Sequence, residues 1–152
     1  MPNSTLKLPP PTYARRGGEI LAQQLGQVGI KVSIEPVQFP QWLENVFRNK
    51  EYDLTIISHT EPLDIDIYSR PTYYFNFKND AFNRLIDEVK KTADEKERYK
   101  IWGEAQRILA DQSVNAFLFQ LPKIGIWNKD VAGLWENSPV QQNVLTQARW
   151  TK

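Results

Sequence analysis

Residues 5–37 read TLKLPPPTYARRGGEILAQQLGQVGIKVSIEPV, a strand, a helix and a second strand in one uninterrupted run. Thr5-Leu6-Lys7-Leu8 alternates polar and apolar side chains, the period of a strand with two unlike faces. Pro9, Pro10 and Pro11 end it, because none has an N–H to give to a ladder. Thr12 then stands as the N-cap of a helix running through Val28. Ala14, Leu21, Leu25 and Val28 fall along one face of that helix, with Ile20 beside them. Gly17-Gly18 costs about 1 kcal/mol per glycine against alanine in a helix interior. The pair therefore predicts either irregular first turns or an element packed closely there. Gly29 takes the left-handed position after the helix, with Ile30 as the apolar contact that follows it. Lys31 to Val37 alternates again around Val32 and Ile34, and Pro36 suits a sheet edge or a strand end.

The pattern continues outward from this run. Pro40 fits the first turn of a short helix with Trp42, Leu43, Val46 and Phe47 as its apolar stripe, broken at Asn49-Lys50. Asp53 to Ser58 reads as a third strand, apolar on both faces, as a central parallel strand covered by helices on both sides must be. Strand, helix, strand, helix, strand is a βαβαβ unit, so the expected fold class is α/β: a mainly parallel sheet flanked by helices, with residues 1–152 forming a single α/β domain. Residues 59–79 form a long connection without a clear period, and such connections often carry function. Helices resume with Phe82, Leu85, Ile86 and Val89. A capping box at Asp94 and Glu97 then precedes Tyr99, Trp102, Ala105 and Leu109. Asn115 to Leu121 reads as a fourth strand, which Ile124, Ile126 and Trp127 extend. No regular structure is assigned after Gly133.

Composition excludes several classes. Lys and Arg number 19 against 18 Asp and Glu, a net charge of +1, so there is no basic stripe for nucleic acid. Arg15-Arg16 and Lys90-Lys91 are isolated pairs that read as solvated helix faces. With no cysteine, disulfides, thiolate metal sites and thiol nucleophiles are out. No apolar run approaches the roughly 20 residues of a membrane helix, so the chain is not membrane-spanning. No signal peptide is visible, and a strand is already under way by Thr5, which suggests an excised or processed chain.

In an open α/β sheet, ligands bind beyond the carboxyl ends of the strands. Those ends deliver Pro9 to Tyr13, Val37 to Phe39 and His59 to Asp64. The third is the richest, with an imidazole and the carboxylates of Glu61, Asp64 and Asp66. A carboxylate there is suited to holding an ammonium by charge-assisted hydrogen bonds, and aromatic rings supply apolar area. Each candidate also has a plainer reading. His59 can bond loop backbone, and the acids can cap turns. Tyr73, Tyr74 and Phe75 can be core or interdomain packing, and Arg70 can meet a ligand carboxylate or one of the acids. An independent enzyme fits poorly. Ser58 and His59 are adjacent and would point to opposite faces of a strand, and three prolines stand where a phosphate loop needs N–H groups. A metal receptor would rest on a single histidine without ligand spacing.

The residues also resemble a known family. TYARRGGEILAQQLGQVGIKVSIEPVQFPQWLENV (12–46) and EYDLTII (51–57) are similar to the second lobe of the extracytoplasmic family 5 solute-binding proteins, which serve dipeptide, oligopeptide and nickel ABC importers. NDAFNRLIDEVKKTADEKERYKIWGEAQRILADQS (79–113) resembles that family's paired helices, and NAFLFQLPKIGIWNKDVAGL (115–134) its closing segment. The resemblance covers essentially the whole chain, and its specificity lies in the order and spacing of the motifs.

The resemblance implies the C-terminal lobe of a periplasmic-binding-protein type II-like fold, periplasmic in the full-length protein, without catalysis or cofactor. Its partners would be a small-molecule or short-peptide ligand, the missing N-terminal lobe and ABC permease subunits. Peptide-binding relatives carry a Trp-x-x-Asp pattern after "YDL", whose aspartate holds the ligand's amino group. Here His59 stands near the tryptophan and Glu61-Pro62 near the aspartate. Glu61 is thus the carry-over for ammonium binding, with Asp64 next and His59, Tyr13, Tyr73 and Arg70 as further ligand-binding candidates. The departure keeps open a different amine-containing solute, or a nickel or other metal-chelate ligand.

Overall fold

The computed structural model describes residues 3–59, 64–122, 124–135 and 144–152. The chain divides into two compact units, Met1–Ile57 with Ile65–Ala116, and Ser58–Asp64 with Phe117–Lys152.

The first unit is built on three parallel strands, β1 (Asn3–Leu8), β2 (Lys31–Pro36) and β3 (Leu54–Thr55), in the order β2-β1-β3. The sequence places the strands correctly but misorders them: β1, rather than the third strand, is central among the described residues. β3 is also shorter than the predicted span of 53–58. At its start the Asp53 carboxylate takes the Thr5 N–H at 2.8 Å, where a strand would offer a backbone carbonyl. At its end the Thr55 hydroxyl donates to the Lys7 carbonyl at 2.8 Å. Beyond Leu8, prolines 9 to 11 have no N–H to give, so the β1 side of the ladder ends there. The two-faced apolar character is nonetheless real. Ile56 packs with Leu6, Leu8 and Ala14, whereas its neighbour Ile57 packs with Val37, Trp42, Val46 and Tyr74.

Helix α1 (Thr12–Gln27) packs on β1 and β2. Its N-cap is Pro11, not Thr12, and no side chain caps it. The helix starts one residue early because Pro11, with φ −56°, already sets the chain for entry. The other end is as expected: Gly29 has φ 84°, its N–H donates to the Gly26 carbonyl at 3.1 Å, and Ile30 N–H reaches the Leu25 carbonyl at 2.9 Å. These two bonds are a Schellman motif. Of the predicted apolar face, Ala14 is buried and Leu21 partly so, while Ile20 and Val28 are exposed. Gly18 accounts for the second glycine of the pair, since a Cβ there would sit 2.3 Å from Leu8 Cδ1. The helix lies against β1 at a distance only glycine permits.

Helix α2 (Phe39–Trp42) runs on as a π-helical segment, Leu43–Arg48, with Trp42 and Val46 buried. A 3-10 turn (Asp64–Ser69) precedes α3 (Asp80–Lys91) and α4 (Glu95–Asp111). Asn79 caps α3 by accepting from Phe82 N–H, and Asp94 caps α4 by accepting from Glu97 N–H, both at 2.9 Å. Phe82, Ile86, Ala105 and Leu109 join Ile67 and Tyr68 in one core, whereas Tyr99 is exposed and Ile101 takes the buried position instead.

The second unit contains one antiparallel pair, β4 (Val131–Ala132) with β5 (Arg149–Trp150). Strand β5 corrects the expectation of an irregular tail. The fourth strand predicted over Asn115–Leu121 does not form. A strand needs a ladder, and among the described residues no edge pairs with this segment, so Phe117, Leu118, Phe119 and Leu121 remain exposed. Ile124, Ile126 and Trp127, expected to extend it, are exposed as well. No described helix is long and apolar enough to cross a membrane.

Candidate functional site

Because the three strands of the first unit are parallel, their carboxyl ends share one rim. Successive carbonyls at the end of β1 are each taken by a different partner. Lys7 accepts from the Thr55 hydroxyl at 2.8 Å, Leu8 from Val37 N–H at 3.0 Å and Pro9 from Arg15 Nε at 2.9 Å. The Thr55 hydroxyl in turn accepts from the Trp42 indole N–H at 2.9 Å, which ties α2 to the sheet. Arg15 Nη2 also donates to the Val37 carbonyl at 3.0 Å. Arg15, read from sequence as part of a solvated pair, is therefore partly buried at the rim. No local signal distinguishes it from Arg16, because the two carbonyls it meets come from different turns.

Tyr13, in the first turn of α1, packs against the core of Leu6, Leu8, Ala14 and Ile56. Its phenol is within electrostatic reach of Tyr74. Burial first, and then the neighbouring phenols of Tyr73, Tyr52, Tyr68 and Tyr13, raise the Tyr74 hydroxyl far above the ordinary tyrosine value. Tyr52 is raised by burial as well, and its hydroxyl donates to the Tyr74 carbonyl at 2.8 Å. Tyr73 stacks edge-on to Phe47 and Phe75 at 5.5 and 5.0 Å. Two candidates far apart in sequence, Tyr13 and Tyr73, are thus gathered around one phenol. Arg70 pairs with Asp66, its Nη2 lying 3.1 Å from both carboxylate oxygens. A shallow depression between α3 and α4 is lined by Arg84 and Arg107 together with Glu88, Glu104 and Asp111, a surface of mixed charge.

His59 and Asp64 belong to the second unit, and they pair with each other, Nδ1 to Oδ2, at 3.4 Å. Glu61 lies outside the described residues. No group of three or more His, Cys, Asp or Glu side chains among the described residues is arranged to hold a metal ion.

No protein-family model and no curated protein matches the chain. Solved structures do. A dipeptide-binding protein from Pseudoalteromonas sp. SM9913, in complex with Met-Leu, matches 97% of this chain at a TM-score of 0.69 and 16% identity. The oligopeptide-binding protein AppA of Bacillus subtilis, in complex with a nonapeptide, matches 74% at 0.65 and 20%. The periplasmic binding protein DppA of Helicobacter pylori, in complex with the peptide STSA, matches 74% at 0.63 and 22%. The chain spans only 32%, 24% and 24% of these three proteins, so its fold is that of a lobe of such receptors.

Proposed function

We propose that this chain is one lobe of the substrate-binding component of an ABC importer, presenting half of an interlobe cleft for a peptide or peptide-like, amine-containing solute. The observation that carries the reading is the match to peptide-bound receptors over a quarter to a third of their length. The exposed apolar side chains of Phe117, Phe119 and Ile126 support it, since a surface of this kind is normally covered by further protein. The complementary lobe is the natural cover, and permease subunits would receive the loaded protein outside the cytoplasmic membrane. The chain does no chemistry on its ligand in this reading.

Within the lobe, Glu61 and Asp64 are the groups proposed to hold the ligand's ammonium, with His59 beside Asp64. In the first unit, Tyr13 and Tyr73 are proposed to supply apolar area, whereas Arg70 is engaged by Asp66. Closure of two lobes removes water and strengthens each polar contact inside. A lobe by itself lacks that gain. Losing half the contacts of a site of about 1 μM, roughly −8 kcal/mol, leaves millimolar binding at best.

Two measurements test this. Calorimetry of the 152-residue chain with the dipeptide Met-Leu should show no binding tighter than millimolar, and micromolar affinity overturns the two-lobe reading. Mass spectrometry of the solute that co-purifies with the full-length receptor should find a peptide or another amine. A nickel chelate found there instead moves the assignment to the metal-receptor alternative.

A further inference from the structure

Helix α1 begins without a capping side chain, yet its first turn is held firmly. Arg15, the fourth residue of the helix, uses one guanidinium on two targets: Nε donates to the Pro9 carbonyl at 2.9 Å and Nη2 to the Val37 carbonyl at 3.0 Å. Pro9 directly follows β1 and Val37 directly follows β2. Val37 is thereby pinned from both sides of its peptide frame, its N–H on the Leu8 carbonyl and its own carbonyl on Arg15, while its side chain is buried. A planar guanidinium with donors in a fixed fork can bridge two carbonyls of set spacing, and these bonds are charge-assisted.

We propose that Arg15 is a positioning residue of the ligand rim. By joining the turn after β1 to the turn after β2, it fixes the first turn of α1 and with it Tyr13, two residues earlier. The inference rests on the proposed receptor reading only for the use made of Tyr13; the clamp itself is geometry. It also assigns the rim between β1 and β2 to the protein's own hydrogen bonds, so that ligand recognition falls to side chains and not to the carbonyls of Lys7, Leu8 and Pro9.

The test uses Arg15→Lys, which keeps charge and stem but not the fork, with Arg15→Gln in parallel as a neutral donor able to serve one carbonyl. Hydrogen–deuterium exchange is followed amide by amide. A bond to a charged group is worth about 1.5–3 kcal/mol, so exchange at Val37 should rise roughly ten- to a hundredfold beyond any change shared by α3 and α4. In chains labelled with 3-fluorotyrosine, the Tyr13 fluorine signal, identified by Tyr13→Phe, should shift or split while that of Tyr52 holds. Exchange that rises equally in α3 and α4 makes Arg15 a general stability residue and overturns the proposal. So does an unchanged Val37 amide, or a Tyr13 signal that stays in place as Val37 loosens. Neither measurement involves a ligand, so a failure here leaves the receptor reading standing, and failed peptide binding leaves the clamp standing.

Discussion

The two units treat apolar sequence in opposite ways. In the first, Leu6, Leu8, Val46, Tyr74, Phe82 and Ile86 are essentially removed from water, and the polar groups near them are bonded within the unit. In the second, Phe117 is 77% exposed and Ile126 95%, in a run no less apolar than β1. The difference shows that apolar character states a demand for a partner and does not supply one. Where the chain provides α1, α3 or α4 the demand is met; where it provides none, side chains that read as a strand stay in water.

The sharpest way to break this contrast is to truncate one residue in each unit. Phe82→Ala empties a fully buried site and should destabilise the fold by about 3–5 kcal/mol in urea unfolding. Ile126→Ser should change stability by no more than about 0.5 kcal/mol, as exposed positions do. A comparable loss from both would mean that the second unit has a core after all.

Alkali provides a second probe, because every tyrosine of the chain lies in the first unit. Tyr74 and Tyr52 have hydroxyls raised above the ordinary value of 10.0, so the folded chain holds protons that the unfolded chain gives up. Their contribution is complete below pH 10 and falls as pH rises past it, at about 1.4 kcal/mol per pH unit for Tyr74. Urea midpoints should therefore drop as pH rises above about 10, and Tyr74→Phe should flatten that drop.

A smaller effect distinguishes two glycines of one helix. Gly18→Ala forces a methyl against the fully buried side chain of Leu8, and overpacking of about 1–3 kcal/mol should outweigh the roughly 1 kcal/mol of helix propensity gained. Gly26→Ala meets nothing within 4 Å and should stabilise by up to about 1 kcal/mol. Thermal melts of the two variants moving in opposite directions would confirm that close approach, rather than flexibility, keeps Gly18.

Much of this was open to a reader of the chain alone. The Gly29 stop, the helix carrying Phe82, Leu85, Ile86 and Val89, the Asp94 cap and the Pro36 strand end follow from rules that act within a turn or two, and the structure has each of them. The site was less legible. His59 and Asp64 pair as neighbours in a loop can, and Arg70 meets an acid four residues away. The gathering of Tyr13, Tyr52, Tyr68 and Tyr73 around Tyr74 has no sequence period at all.

What the amino-acid order determined by itself was therefore local: which segments twist into helices, where they stop, and that the strands run parallel, since helical crossovers between successive strands leave them no other direction. Tertiary structure alone decided that β1 is central among the described strands, that Thr55 completes the Lys7 hydrogen bond 48 residues away, that Arg15 reaches the carbonyls of Pro9 and Val37, and that residues 117–121 join no described strand. The physical reason is the same in each case. A hydrogen-bond donor or an apolar side chain carries its requirement in its chemistry, but whether that requirement is met depends on which distant carbonyl or ring the folded chain brings to it.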